Sequence, residues 1–156
     1  MRGVILDSDS FDRGDIDTAS LDDALDDWTR HRSTLSEQVP ERLDGYEVAV
    51  TNKVIIDAAA MESPALRLIV VAATGTNNID LAAAARRGIT VCNVRDYASA
   101  AVSQHVFSLV LALATRLGDY TRAVRQGHWQ QSKVFCLLDY PIRELAGLTL
   151  GIIGLR

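Results

Sequence analysis

The segment Arg67 to Val94, RLIVVAATGTNNIDLAAAARRGITVCNV, leaves little freedom in how it can fold. Leu68 to Val71 is an apolar, β-branched run short enough for a buried strand. Thr74-Gly75-Thr76-Asn77-Asn78 follows, a turn rich in residues that tolerate unusual backbone angles. Asp80 is placed to cap an alanine-rich helix, Leu81 to Arg87. Arg86 and Arg87 suit the negative end of that helix, and Gly88 suits the left-handed position just past it. Ile89 to Cys92 is a second apolar run. Strand, turn, helix, glycine, strand is a βαβ unit, so its strands should lie parallel. Ligands of such sheets gather beyond the carboxyl ends of the strands. That places Thr74 to Asn78 and Asn93 to Tyr97 on one rim.

The rest of the chain extends the pattern. Gly3 to Leu6 reads as a first strand, running into Asp7-Ser8-Asp9-Ser10. Residues 19 to 28 predict a helix with Leu21, Leu25 and Trp28 on one face. Thr29 to Thr34 is a candidate edge strand, and Glu37 to Leu43 a short helix. Tyr46 to Thr51 is a strand closed by Asn52-Lys53, and Asp57 to Met61 a short helix. Residues 1–97 are thus an alternating β/α array, which predicts a flavodoxin-like parallel sheet. From Ala98 to Leu117 a long helix is expected, apolar on most sides and so buried on most sides. Trp129, Phe135 and Tyr140 are candidate anchors in the irregular stretch 128–141, and Leu148 to Ile153 is a final apolar strand. Residues 98–156 form the second block.

Composition narrows the function classes. With 156 residues, 48% of them hydrophobic, the chain can build a real core. The net charge of −4 is uneven: residues 1–27 hold nine acids against two bases. This reads as a solvated face, with no basic footprint for nucleic acid. No apolar run has the length of a membrane span. Cys92 and Cys136 are far apart with no paired spacing, so neither a disulfide framework nor a metal site is expected, and a reduced, cytoplasmic setting is the default. Asp7 and Asp9 invite comparison with phosphoacceptor domains, which need an acceptor Asp after the third strand. Asn52-Lys53 stands there, and the comparison fails.

The string ATGTNNID, then RRGI, the Cys-Asn-Val loop and a long helix carrying SQH together resemble the D-isomer-specific 2-hydroxyacid dehydrogenases. The glycerate dehydrogenase/hydroxypyruvate reductase branch is the nearest in pattern. The resemblance implies a substrate domain over residues 1–97. A crossover helix and the opening strand of a Rossmann domain for NAD or NADP would follow over 98–156. It implies hydride transfer between that cofactor and a small 2-oxo or 2-hydroxy acid, and a homodimer. By resemblance, the amides of Thr74 and Gly75, with Thr76 and Asn77 beside them, cradle the substrate carboxylate. Clustered N–H groups in a tight turn form an anion nest; the alternative is an ordinary βα turn. Asn52 and Lys53 share this rim, where a lysine would attract an acid or simply end a strand in water. Ala101 and Val102 correspond to small apolar contacts with the nicotinamide end of the cofactor.

Gly154 matches the first glycine of the G-x-G-x-x-G fingerprint, and Arg156 stands where the second belongs. A cofactor domain cut short is therefore expected, with no tight cofactor binding and no activity in this chain alone. No catalytic residue is assigned: the family's Arg, acid and His fall beyond position 156. His105 is read as a helix-face residue, and His31 and His128 as surface residues. Self-association through the long helix is a further expectation. The alternatives are a non-catalytic acid-binding or protein-interaction module, or a non-functional truncated product.

Overall fold

The computed structural model describes residues 1–154. The chain divides into two compact units, Met1–Tyr97 and Ala98–Arg156. The first unit holds five parallel strands: β1 (Arg2–Ile5), β2 (Asp27–Arg30), β3 (Val48–Thr51), β4 (Leu68–Val71) and β5 (Thr90–Asn93). They lie side by side in the order β2-β1-β3-β4-β5. This is the flavodoxin-like order, in which the chain reverses direction across the sheet between β1 and β3. The expected pairing of β4 with β5 is present, with Ile69 opposite Val91 and Val71 opposite Asn93.

Alternation of side chains assigns the strands to two faces. Val4, Leu6, Ala49, Ile69 and Val71 enter the main core. There they meet Val39 and Leu43 of α2 (Val39–Leu43), Met61, and Ala83 and Ala84 of α3 (Leu81–Arg86). Val48, Val50, Leu68 and Val70 point the other way, where Leu21, Leu25 and Trp28 help to enclose an apolar hollow. Two apolar faces explain why the strands read as continuous rather than alternating runs.

Trp28 corrects one expectation. The helix predicted over 19–28 is only α1 (Ala19–Asp22), and Trp28 belongs to β2. Its ring sits where a Cβ on Gly3 would lie, 2.5 Å away, so the absence of a side chain at position 3 admits the indole. Burying that ring against β1 outweighs the i, i+4, i+7 helical spacing. The indole N–H donates to the Leu21 carbonyl at 2.8 Å, so the three residues still share one cluster by a different route.

The βαβ unit follows its local signals. The Asp80 carboxylate accepts from the Ala83 amide at 2.8 Å, as a helix N-cap should, and Gly88 takes the left-handed conformation at φ 70°. Asp80→Ala should cost about 1 kcal/mol of unfolding free energy. Urea denaturation measures this, and an unchanged midpoint would remove the cap from the account.

The second unit departs further from expectation. The long helix is α4 (Ser99–Ala114), broken at Arg116, which takes φ 55° before α5 (Leu117–Arg125). Gly127, at φ 84°, separates α5 from α6 (His128–Gln131). Tyr140 does anchor its segment: its ring meets Tyr120 edge-on at 5.2 Å, and the Tyr120 hydroxyl donates to its carbonyl. Trp129 and Phe135 do not, being 52% and 93% exposed. Leu148 to Ile153 carries no strand pairing. A strand exists only through hydrogen bonds to a neighbouring backbone, and none of the described residues offers one there. No residue of α4 is buried among the described residues, so the cover that so apolar a helix calls for is not supplied within them. No single helix among the described residues is long and apolar enough to cross a membrane.

Candidate functional site

The carboxyl ends of β1, β3, β4 and β5 open on a crevice of about 560 Å³. It is lined by Ser10 and Phe11 from the loop after β1, Asn52 and Lys53 after β3, Ala72 and Ala73 after β4, and Val94 and Tyr97 after β5. The crevice therefore sits at the β1/β3 reversal, where a parallel sheet leaves room between loops that diverge to opposite faces. Its walls are mainly apolar, with the Asn52 amide, the Ser10 and Tyr97 hydroxyls and the Lys53 ammonium group supplying polarity. A lysine that forms no ion pair among the described residues leaves this rim a positive charge for an anion.

The turn after Ala73 is the second part of the rim. Thr74 and Asn77 are exposed and Gly75 and Thr76 half-buried. The turn is fixed at both ends. The Val94 amide donates to the Ala73 carbonyl at 3.1 Å, and the Asn93 side-chain amide to the Thr74 carbonyl at 2.7 Å. At the far end Asn78 donates to the Val54 carbonyl at 3.0 Å, and Ile56 pairs with Ile79 in a parallel bridge. The carbonyls of Ala73, Thr74, Thr76 and Asn78 are engaged, whereas the amides of Thr74, Gly75, Thr76 and Asn77 donate to no acceptor among the described residues. Amides held in place and left to solvent are the chemistry of an anion site. These four residues adjoin the crevice through Ala73 without lining it; Asn52 and Lys53 do line it.

Asn52 and Lys53 are not loose strand ends. Their backbone amides donate to the Asp7 carboxylate at 2.9 and 2.8 Å, and the Asn52 side chain donates to the Ser10 carbonyl at 3.2 Å. Sequence reasoning places Tyr97 on this rim but passes over Asp7, Ser10 and Phe11. The signal was available in the strand order, since loops after β1 and β3 must flank the reversal point.

Among the described residues, no histidine or arginine lines the crevice. His31 lies beside Arg42 and Tyr46 in a separate hollow, where burial, and then the Arg42 charge, pushes its pKa down. His105 is exposed on α4. Of the residues expected near a nicotinamide cofactor, Ala101 and Val102 are exposed in the first turns of α4, and Gly154 takes φ 109°. Pyrophosphate binding needs a helix N-terminus after the first fingerprint glycine. Arg156 lies outside the described residues.

Comparison with known proteins agrees with this architecture. Residues 7–147 match the model of the family described as D-isomer specific 2-hydroxyacid dehydrogenase, catalytic domain. A glycerate dehydrogenase of Methylorubrum extorquens is 50% identical over 119 residues, which cover 76% of this chain and 38% of that protein. A hydroxypyruvate reductase of Blautia hydrogenotrophica is 32% identical over 157 residues, covering 99% of this chain and 49% of the other. Among solved structures, the NADPH-dependent glyoxylate/hydroxypyruvate reductase of Sinorhizobium meliloti in complex with citrate superposes with a TM-score of 0.67 at 20% identity. That match covers 94% of this chain and 44% of that one, and carries the fold alone. The chain spans less than half the length of each of these relatives. Fold, rim and relatives converge: the chain belongs to the D-isomer specific 2-hydroxyacid dehydrogenase family.

Proposed function

We propose that residues 1–97 are the acid-binding part of an NAD(P)-dependent oxidoreductase acting on small 2-oxo or 2-hydroxy acids of the hydroxypyruvate and glyoxylate type. The observation that carries this reading is the row of undonated amides at Thr74, Gly75, Thr76 and Asn77 on the strand-end rim. A carboxylate placed there accepts from the backbone, while Lys53 lies on the neighbouring part of the rim to draw it in. The apolar walls at Phe11, Ala72 and Val94 limit the remainder of the acid to a small group.

The redox step asks for more than this rim offers. Hydride transfer to a 2-oxo acid needs a proton donor within hydrogen-bond reach of the carbonyl oxygen and a cation to hold that oxygen. Among the described residues, the crevice has no histidine and no arginine. NAD or NADP would supply the hydride in an intact enzyme; Ala101, Val102 and Gly154 are this chain's candidates to touch it. On this reading the described residues bind the acid without turning it over.

Titration of the 15N-labelled chain with glyoxylate and with hydroxypyruvate tests the reading. The amide resonances of residues 74–77 should move together and saturably, with acetate weaker. The same sample mixed with NADPH and either acid should show no NADPH oxidation. Amides 74–77 that stay still at saturating acid would sink the site, and clear turnover would sink the inactivity.

A second reading rests on the exposed apolar residues of α4: a module whose helix meets another protein surface, self-association included. It differs in outcome at amides 74–77, which it requires to stay still at saturating acid while the chain associates.

A further inference from the structure

We infer that Asp7 is the positioning residue of this rim: its carboxylate fills the anion nest of the β3 turn from within, and so leaves the β4 turn as the place where an external carboxylate binds. The inference rests on the acid-binding reading and assigns a division of labour inside it.

Two neighbouring turns at the carboxyl edge carry consecutive backbone amides outside the strand pairing, and they are treated differently. After β3, the consecutive amides of Asn52 and Lys53 both end on Asp7, at 2.9 Å to Oδ1 and 2.8 Å to Oδ2. After β4, the amides of residues 74–77 meet no acceptor among the described residues. Successive N–H groups converging on one carboxylate are what a nest does with a bound anion. At the β3 turn the anion is part of the chain.

Asp7 is built for that role. It is 5% exposed, one of the two buried polar residues of the described chain. A buried carboxylate is tolerated only when its oxygens are occupied. Here they accept from Asn52, Lys53 and the Ser10 hydroxyl, the last at 3.0 Å. The Ser10 amide donates back to the Asp7 carbonyl at 3.0 Å, closing the loop that carries Ser10 and Phe11. One side chain therefore ties the loop after β1 to the loop after β3, across the reversal point of the sheet.

Two consequences follow for the bound acid. With its backbone fixed, Lys53 presents its ammonium from a set place on the crevice wall. With its amides spent on Asp7, the β3 turn does not compete for the acid's carboxylate, which goes to the β4 turn in one orientation. Asp7 touches no ligand in this scheme; it acts through Asn52, Lys53 and Ser10.

The test uses Asp7→Asn, Asp7→Ala and a stability control, Leu43→Ala. Leu43 is fully buried in the core and lines no part of the crevice. Asparagine keeps Oδ1 for the Asn52 amide but turns a donor toward Lys53 and Ser10. Loss of such charge-assisted bonds should weaken glyoxylate binding at residues 74–77 by about tenfold, while Leu43→Ala, though less stable, binds as wild type does. Asp7→Ala leaves space for a small anion, so formate should enter, shift the Asn52 and Lys53 amides and restore part of the affinity. A purely structural aspartate would show no formate rescue of affinity.

Should Asp7→Ala fail to fold, Asp7→Asn with amide exchange decides the matter: exchange at Asn52 and Lys53 must accelerate. Unchanged affinity in a folded Asp7→Asn variant overturns the inference. Equal loss in Leu43→Ala does so as well. If wild-type amides 74–77 ignore glyoxylate, the acid-binding reading fails on its own, and the exchange at Asn52 and Lys53 still reports whether Asp7 holds the turn.

Discussion

Replacing Ile69 with alanine should lower the unfolding free energy by about 2–5 kcal/mol, the cost of a buried large-to-small change that the surroundings fill only in part. Ile69 has no exposed surface. It sits in β4 between Ala49 of β3 and Val91 of β5. Ala49 is already the smallest apolar side chain, so it has nothing to extend into the vacated space. Single domains are stable by roughly 5–15 kcal/mol, so this change takes a large share of the whole. Urea unfolding followed by far-ultraviolet circular dichroism should show a lower midpoint with an unchanged slope. A loss below about 1 kcal/mol would mean that the site collapses freely, contrary to close packing between sheet and helices.

The same strand shows why part of the fold was legible in the sequence. Leu68–Val71, the Asp80 cap, α3 and Gly88 depend on neighbours in the chain: an apolar run, a carboxylate three residues ahead of an amide, a glycine past a helix end. Such signals are complete within a window of a few residues. Trp28 shows the limit. Its spacing from Leu21 and Leu25 is helical, yet the room left by Gly3, 25 positions away, turns it into a strand residue. No window around Trp28 contains that information. Leu148 to Ile153 fails for the complementary reason, because apolar character does not supply a backbone partner.

The candidate site divides in the same way. Thr74 to Asn77 and Asn52-Lys53 were legible as strand-end turns in a βα array. The crevice itself was not, since it is made by four loops whose meeting depends on strand order. Asp7 was visible in the sequence as an acid after an apolar run. That it would be turned inward, onto amides 45 and 46 positions away, could be read only once β1 and β3 were neighbours.

Self-association is the other large effect to expect, and it follows from α4. At sixteen residues the helix is about 24 Å long. Val102, Val106, Phe107, Leu109, Leu111 and Leu113 are each between 43% and 76% exposed along it. Scattered apolar residues on a surface mean little, but here Val102, Val106, Leu109 and Leu113 share one side of the helix and Phe107 and Leu111 the other, and a helix apolar on two sides is suited to meet another surface. Phe107 and Leu111 stand four apart and so on one face. Burying such a side chain contributes about 1.5–3 kcal/mol. Placing charges at both, as Phe107→Lys with Leu111→Glu, should weaken association by about a hundredfold or more, at 1.4 kcal/mol per factor of ten. The i, i+4 pair of opposite charges tolerates the helix, so circular dichroism should be preserved. Sedimentation velocity of wild type across a concentration series should show species heavier than the 17.0 kDa chain, and the double variant the chain alone. A wild-type chain that stays monomeric at about 100 μM, well above the micromolar range where −8.2 kcal/mol of binding would half-saturate it, would show that these side chains find cover within the molecule.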